Sequence, residues 1–213
     1  MTRLSTFLML PLVALSATIT QVGGGTSDEL SVFEVHGGTA IFDVATNVVA
    51  IRVHGKSTSL EGHGRIRRNA EGFLIEQLEA TVPVRSLNTG MGLRDDHMRK
   101  DIFTTQDGQT PDIRFVADRA TCGPEDAARR AACQVAGALT FRGTSRPFTA
   151  ALKMTRDGEA MRAVGDGVVK LSAYGIPQPS QLGVTTTDDV KLRFEFTARR
   201  VARQLKFTAG EGR

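Results

Sequence analysis

Few residues in this chain have the types and spacing that chemistry requires. Gly55-Lys56-Ser57 matches the end of a phosphate-cradling loop. That motif needs a glycine five residues earlier, where Ala50 stands, and a helix afterwards, where Ser57-Thr58-Ser59 leads into another strand pattern. The Gly-x-Ser-x-Gly turn that exposes a serine nucleophile does not occur. His36, His54, His63 and His97 show no His-x-x-x-His spacing. His54 and His63 would hold a metal only if they faced each other across a hairpin, and exposed strand histidines are commoner. No metal and no cofactor is therefore expected. Asp95, Asp96 and His97 could supply acid–base groups, but a solvated helix face carrying ion pairs is the more usual employment of such a run. Arg199, Arg200, Arg203 and Lys206 form a basic C-terminal cluster, either a solubilising tail or a weak contact for anionic lipid headgroups.

Cys122 and Cys133 are the only cysteines, in CGPEDAARRAAC. An even count at close spacing in an exported protein favours a disulfide, worth about 3 kcal/mol in the chain-entropy model. Two buried thiols or half a metal site are the alternatives, and no Cys-x-x-Cys or nearby histidine supports the latter. Pro124 at a helix start, with Glu125 and Asp126 in the first turn, predicts a short helical excursion between the cysteines.

The elements around these residues are mostly strands. Val190 to Arg199 alternates apolar and polar residues without a break, the mark of a half-buried antiparallel strand. Val135, Gly137, Leu139 and Phe141 repeat that pattern, as do Phe148, Ala150, Leu152 and Met154, and Ile113, Phe115 and Ala117. Arg142 to Pro147 joins two of these runs as a hairpin. Phe42 and Val44 run into Asn47, and Val49, Ile51 and Val53 follow. Leu60–Arg68, Phe73–Val84 and Val164–Tyr174 complete a set of eight to ten strands, the spacing of a sandwich or barrel. Met91 to Phe103 reads as helix, with Asp95–Arg99, Asp96–Lys100 and His97–Asp101 as i,i+4 pairs, and is placed to cover a barrel end.

The whole chain has 213 residues, a net charge of +4, eleven Phe, one Tyr and no Trp. A surplus of four positive charges without a basic block does not make a nucleic-acid surface. Phe without Trp favours an apolar interior over a sugar- or base-stacking platform. Residues 1–20 read as a secretory signal, with Arg3 ahead of an apolar run too short to span a bilayer comfortably. Residues 21–30 follow as a flexible leader, 31–201 as one barrel domain and 202–213 as a basic tail.

Small residues (Gly137, Ala150, Ala163, Gly165, Gly167) stand among the inward-alternating apolar ones. They either leave room for a ligand or mark bends. An eight-stranded barrel is just wide enough to be filled or to hold one small ligand. The inward-alternating set Phe115, Leu139, Phe141, Leu192, Phe194 and Phe196 is the expected lining, with Phe103 and Ile113 near the covering helix and Arg94, His97 and Arg99 as candidates to meet a polar head group.

Three stretches resemble the YceI-like family of exported lipid- and polyisoprenoid-binding proteins. Ser86-Leu87-Asn88-Thr89-Gly90, then Arg94-Asp95-Asp96-His97-Met98 and Ile102-Phe103, runs on into Pro111-Asp112-Ile113-Arg114-Phe115. Val135 to Phe148 is similar to the family's hairpin, and Leu171 to Ile176 with Asp189 to Leu192 resembles its late segment. Ile102 replaces one of two usual aromatics, and Tyr174 stands near a usual Phe. The resemblance implies a lipocalin-like antiparallel β-barrel, an elongated apolar pocket, a periplasmic or secreted location and no established catalysis. The expected partner is an isoprenoid or fatty-acyl lipid, with no nucleic acid, at most weak contact with a membrane surface, and self-association, if any, as a homodimer. Two other readings stand beside it: an enzyme for a small apolar or redox-active substrate using Asp95, Asp96 or His97, and a fully packed barrel with a structural or stress role.

Overall fold

A computed structural model describes residues 29–69 and 72–201. The signal segment, residues 21–28 of the leader, and the tail with Arg203 and Lys206 lie outside the described residues. Ten strands form one antiparallel sheet: β1 (Glu29–Thr46), β2 (Arg52–Asn69), β3 (Gly72–Val82), β4 (Ile113–Ala117), β5 (Ala120–Cys122), β6 (Arg130–Phe141), β7 (Thr144–Asp157), β8 (Ala160–Lys170), β9 (Ser180–Gln181) and β10 (Val184–Val201). β4 and β5 share one position between β3 and β6, β9 only extends β10, and β1 pairs with β10, so eight staves close into a barrel.

Several short runs in the sequence merge into long strands. β1, β2 and β10 have 18 residues each. β1 stays in the wall by bulging between Val35 and Thr39, where Gly37 adopts φ +76°. Val49 is not in a strand. It sits at the tip of the β1–β2 turn, almost fully exposed, while Thr46 caps the turn through the Val48 and Ile51 carbonyls. The expected β6–β7 hairpin forms, but its connection is only the two-residue turn Arg142 (φ +51°) and Gly143 (φ +72°), and Thr144–Pro147, expected in the connection, pair with β6 as the start of β7.

The segment between the cysteines is a β-hairpin rather than a helix. Cys122 pairs directly with Cys133, and the two are disulfide-bonded. Asp126 explains the difference. Its carboxylate accepts from the amides of Ala128 and Arg130, both at 2.9 Å, which folds the chain back with Arg129 at φ +58°. This side-chain turn outcompetes a helical start. Arg156 from β7 then holds Glu125 through two 2.9 Å bonds.

The barrel has unlike ends. At the end with the disulfide, Val35, Ile66, Phe73, Ile75, Met154, Met161 and Ala198 fill the interior. At the other end β3 and β4 stop short, and the 83–112 insertion covers the gap. It comprises a tight turn at Val84–Ser86, helix α1 (Gly92–His97) and a wider helical turn at Met98–Phe103. Leu60, Val82, Val84, Leu87, Met98 and Phe103 form the core beneath it. Asp112 accepts from the Val84 amide at 3.1 Å and so clamps the two ends of the insertion together.

Candidate functional site

Within the half of the barrel covered by the insertion lies an apolar cavity of about 1040 Å³. That is at the upper end of the roughly 300–1,000 Å³ of small-molecule sites. All eight expected lining residues stand on its wall: Phe103, Ile113, Phe115, Leu139, Phe141, Leu192, Phe194 and Phe196. The inward placement of the seven strand residues follows from alternation, and Phe103 reaches the wall from the helical turn of the insertion.

The rings lock one another. Phe141 meets Phe103 edge-on at 4.9 Å and Tyr174 at 5.3 Å. Phe148 meets Phe115 at 5.7 Å and Phe194 at 6.5 Å. Edge-to-face pairs of this kind contribute about 0.5–1.5 kcal/mol beyond their burial. Beneath them the inward glycines serve as seats, not as vacant space. A Cβ on Gly55 would strike the Phe42 ring, one on Gly165 the Phe194 ring, and one on Gly167 the Phe148 ring. The wall is therefore preorganised, and little ordering is left for a ligand to drive.

Sequence reasoning overlooked part of the wall. Phe42, Leu60, Val135 and Phe148 share the inward face of strands already recognised, so alternation could have found them. Leu171, Tyr174 and Ile176 lie in a turn with no period, yet all are buried and line the cavity. Tyr174 carries its hydroxyl at no cost to the apolar wall, because that hydroxyl donates to the Leu139 carbonyl at 3.3 Å. Burial pushes its pKa up, so it stays a neutral donor.

The polar residues at the rim are largely committed to holding the insertion. Asp95, expected on a solvated face, is 4% exposed and accepts from the Thr89 amide at 2.8 Å and from the Thr89 hydroxyl. Burial pushes its carboxyl up, but the two Thr89 hydrogen bonds and the charges of Arg99 and Arg94 outweigh this and hold it below the ordinary 3.8. Arg94 lines the cavity and donates to the Thr89 hydroxyl at 2.9 Å and carbonyl at 2.8 Å. Arg99 is not on the wall. It donates to the Leu87 carbonyl at 3.1 Å and pairs with Asp96, three residues away, in place of the expected pairing with Asp95. His97 is exposed at the rim.

The other chemical candidates are apart. His54 and His63 belong to the same strand, β2, and so cannot face each other across a hairpin; His54 meets Asp43 at 3.1 Å and His63 meets Glu79 at 4.0 Å. No group of three or more His, Cys, Asp or Glu among the described residues could hold a metal. Gly55-Lys56-Ser57 lies in mid-strand, where Ser57 is buried against the Ser86 hydroxyl at 2.7 Å. Arg199 and Arg200 stand at the closed end, remote in the fold from the cavity mouth.

The model of the YceI-like domain matches residues 26–198. The chain belongs to the YceI-like family. No curated relative matches it. Among solved structures it is similar to a polyisoprenoid-binding domain from Saccharophagus degradans, at TM-score 0.58 and 12% identity over 81% of this chain and 100% of that one. It is also similar to Burkholderia cenocepacia BcnA, at TM-score 0.53 and 18% identity over 74% and 95% of the two chains. The Campylobacter jejuni YCEI protein gives TM-score 0.54 and 19% identity over 70% and 86%. At these identities the likeness is one of fold. This YceI-like protein departs from a bare barrel by its β5–β6 disulfide hairpin and by a cavity wall in which a tyrosine joins the phenylalanines.

Proposed function

We propose that this protein binds and sequesters or carries one long-chain amphipathic lipid, of polyisoprenoid or fatty-acyl type, in the barrel cavity. The cavity itself carries the reading. It is large, its wall is built of interlocked rings, and the rim side chains Asp95 and Arg94 are occupied by Thr89. Each methylene buried there gains about 0.8 kcal/mol before ordering costs. The similarity to a domain described as polyisoprenoid-binding supports the same ligand class. Phe103, Ile113, Phe115, Leu139, Phe141, Leu192, Phe194 and Phe196 contact the lipid chain, and Arg94 and His97, which line the cavity beneath the insertion, are the candidates to meet its head group. The disulfide suits an oxidising compartment, periplasmic or secreted.

Native mass spectrometry of the exported protein, followed by organic extraction, tests this. A stoichiometric hydrophobic adduct is expected. A protein that stays free of adduct, and takes up no added prenol or fatty acid, would refute it. Replacing His97 by Ala separates the carrier from an enzyme. A carrier, whose affinity comes from the apolar wall, keeps most of its affinity, whereas loss of a general acid–base would cost about 10²-fold or more in turnover.

A further inference from the structure

The open end of the barrel presents apolar side chains where folding makes no use of them. Nine large apolar residues are exposed among the described ones, and six of these stand on three segments at that end. They are Val48, Val49 and Ile51 on the β1–β2 turn, Met91 and Leu93 at the start of α1, and Leu182 on the β9–β10 turn. Single exposed apolar residues are ordinary, whereas a cluster marks a contact surface. Val49 and Leu182 are each 98% exposed, so neither contributes to the core. Leu182 is also held at φ +51° beside Gly183 at φ +80°, a turn whose favoured first residue is asparagine. The backbone thus carries strain in order to present a leucine to solvent.

The two tips are fixed side by side. The Asn47 amide donates to the Thr185 carbonyl and the Thr185 amide to Asn47 Oδ1, both at 2.9 Å, while Asn47 Nδ2 donates to the Gly183 carbonyl at 3.1 Å. The insertion is tied to β2 by the Lys56–Asn88 pair, which exchanges two backbone hydrogen bonds at 2.9 Å. Ile51, Met91, Leu93 and Leu182 also line the cavity, so the exposed set borders its mouth. Residues 47–52, 84–93 and 175–187 include Arg52 and Arg85, both exposed, and no carboxylate. The run from Arg94 to Asp101 is balanced at three cations and three carboxylates. Glu29 and Val201, where the described chain begins and ends, lie at the opposite end of the barrel.

We infer that this rim docks the open end on a lipid bilayer, with the Val49 and Leu182 tips seated among the lipids and Arg52 and Arg85 facing anionic headgroups. The inference rests on the lipid-carrier reading and adds where the lipid is exchanged, namely at the membrane and through the mouth. A bilayer is favoured over a protein partner because the apolar side chains stand on separate protruding turns. A fluid surface accepts such points without shape matching, whereas a protein interface needs a continuous complementary patch.

Flotation with phosphatidylcholine vesicles, with and without phosphatidylglycerol, tests this beside a solution titration with anthroyloxy-labelled palmitate and with farnesol. The wild type is expected to float with the vesicles, about tenfold more tightly when phosphatidylglycerol is present. Val49→Asp should weaken vesicle binding by about tenfold and leave palmitate affinity and Tm unchanged. Leu182→Asn should also weaken vesicle binding, with Tm unchanged or raised because asparagine suits the turn. A structural role for Leu182 would instead lower Tm and leave vesicle binding intact, against the inference. Vesicle binding untouched by either substitution overturns it. A wild type that ignores vesicles yet takes up palmitate or farnesol also overturns it, and leaves the carrier reading standing. Dimerisation that Val49→Asp abolishes, without vesicle binding, assigns the rim to a second copy and overturns it as well. A protein that floats but takes up neither probe upholds the docking and refutes the carrier reading.

Discussion

Phe194 and Gly165 are partners across the β8–β10 ladder, and the Phe194 ring occupies the place where a Cβ on residue 165 would lie. Leu152 closes on the same spot from β7. The ring can lie flat along the wall only because its neighbour has no side chain. Phe42 over Gly55 and Phe148 over Gly167 repeat the arrangement. Gly165→Ala should push Phe194 into the cavity. Overpacking of this kind costs about 1–3 kcal/mol, which is a fall in Tm of roughly 2–4 °C for each kcal/mol at this size. Thermal unfolding and lipid titration should show both values reduced. An unchanged Tm would mean that the seat is not needed.

Leu192 stands on the wall and is only partly buried, so the cavity can accept a larger side chain there. Leu192→Trp should fill ligand space and lower affinity for a long-chain fatty acid by tenfold or more, with circular dichroism unaltered. Retained affinity would place the ligand elsewhere.

Cys122 and Cys133 join paired strands at the closed end, away from the mouth. Removing the bridge with Cys122→Ser/Cys133→Ser should cost about 3 kcal/mol, or roughly 6–12 °C in Tm. Lipid affinity below the transition should be maintained. A parallel loss of affinity at low temperature would show that the closed end also shapes the cavity.

Asp95 anchors the insertion through Thr89, and its folded pKa lies below the ordinary 3.8. A carboxyl with a depressed folded pKa stabilises fully above its unfolded value and loses that contribution as pH falls through the folded value. Glu125, held chiefly by the Arg156 hydrogen bonds, acts in the same direction. The protein should therefore keep its stability from neutral pH down to about 4 to 5 and lose it progressively in more acid solution. Asp95→Asn should flatten the acid limb and speed amide exchange in 84–103 at pH 7. Exchange identical to the wild type would show that the insertion is held by its apolar core alone.

Much of the fold was legible because strand alternation is a local property. The inward faces of β4, β6 and β10, and with them seven of the eight expected wall residues, followed from period 2; Phe103, in the helical turn of the insertion, did not. The β6–β7 hairpin, the helical character of the insertion and the pairing of the two cysteines also depend on neighbours in sequence. The helix expected after Cys122 failed because local propensity was overruled by the Asp126 turn and by Arg156, which reaches Glu125 from 31 residues away.

The site depended on longer relations. Whether His54 and His63 could meet across a hairpin was open until β2 proved to be one strand. Asp95 looked solvated until Thr89 folded over it. Whether the inward glycines opened space or seated rings turned on which residue lay opposite on the next strand. Thr46 and Thr186 are the extreme case, 140 positions apart and adjacent only because β1 closes on β10. The sequence by itself determined which residues face inward, because a side chain's face depends on its place in the pleat. The register between strands was decided by tertiary closure, and with it which of those residues meet.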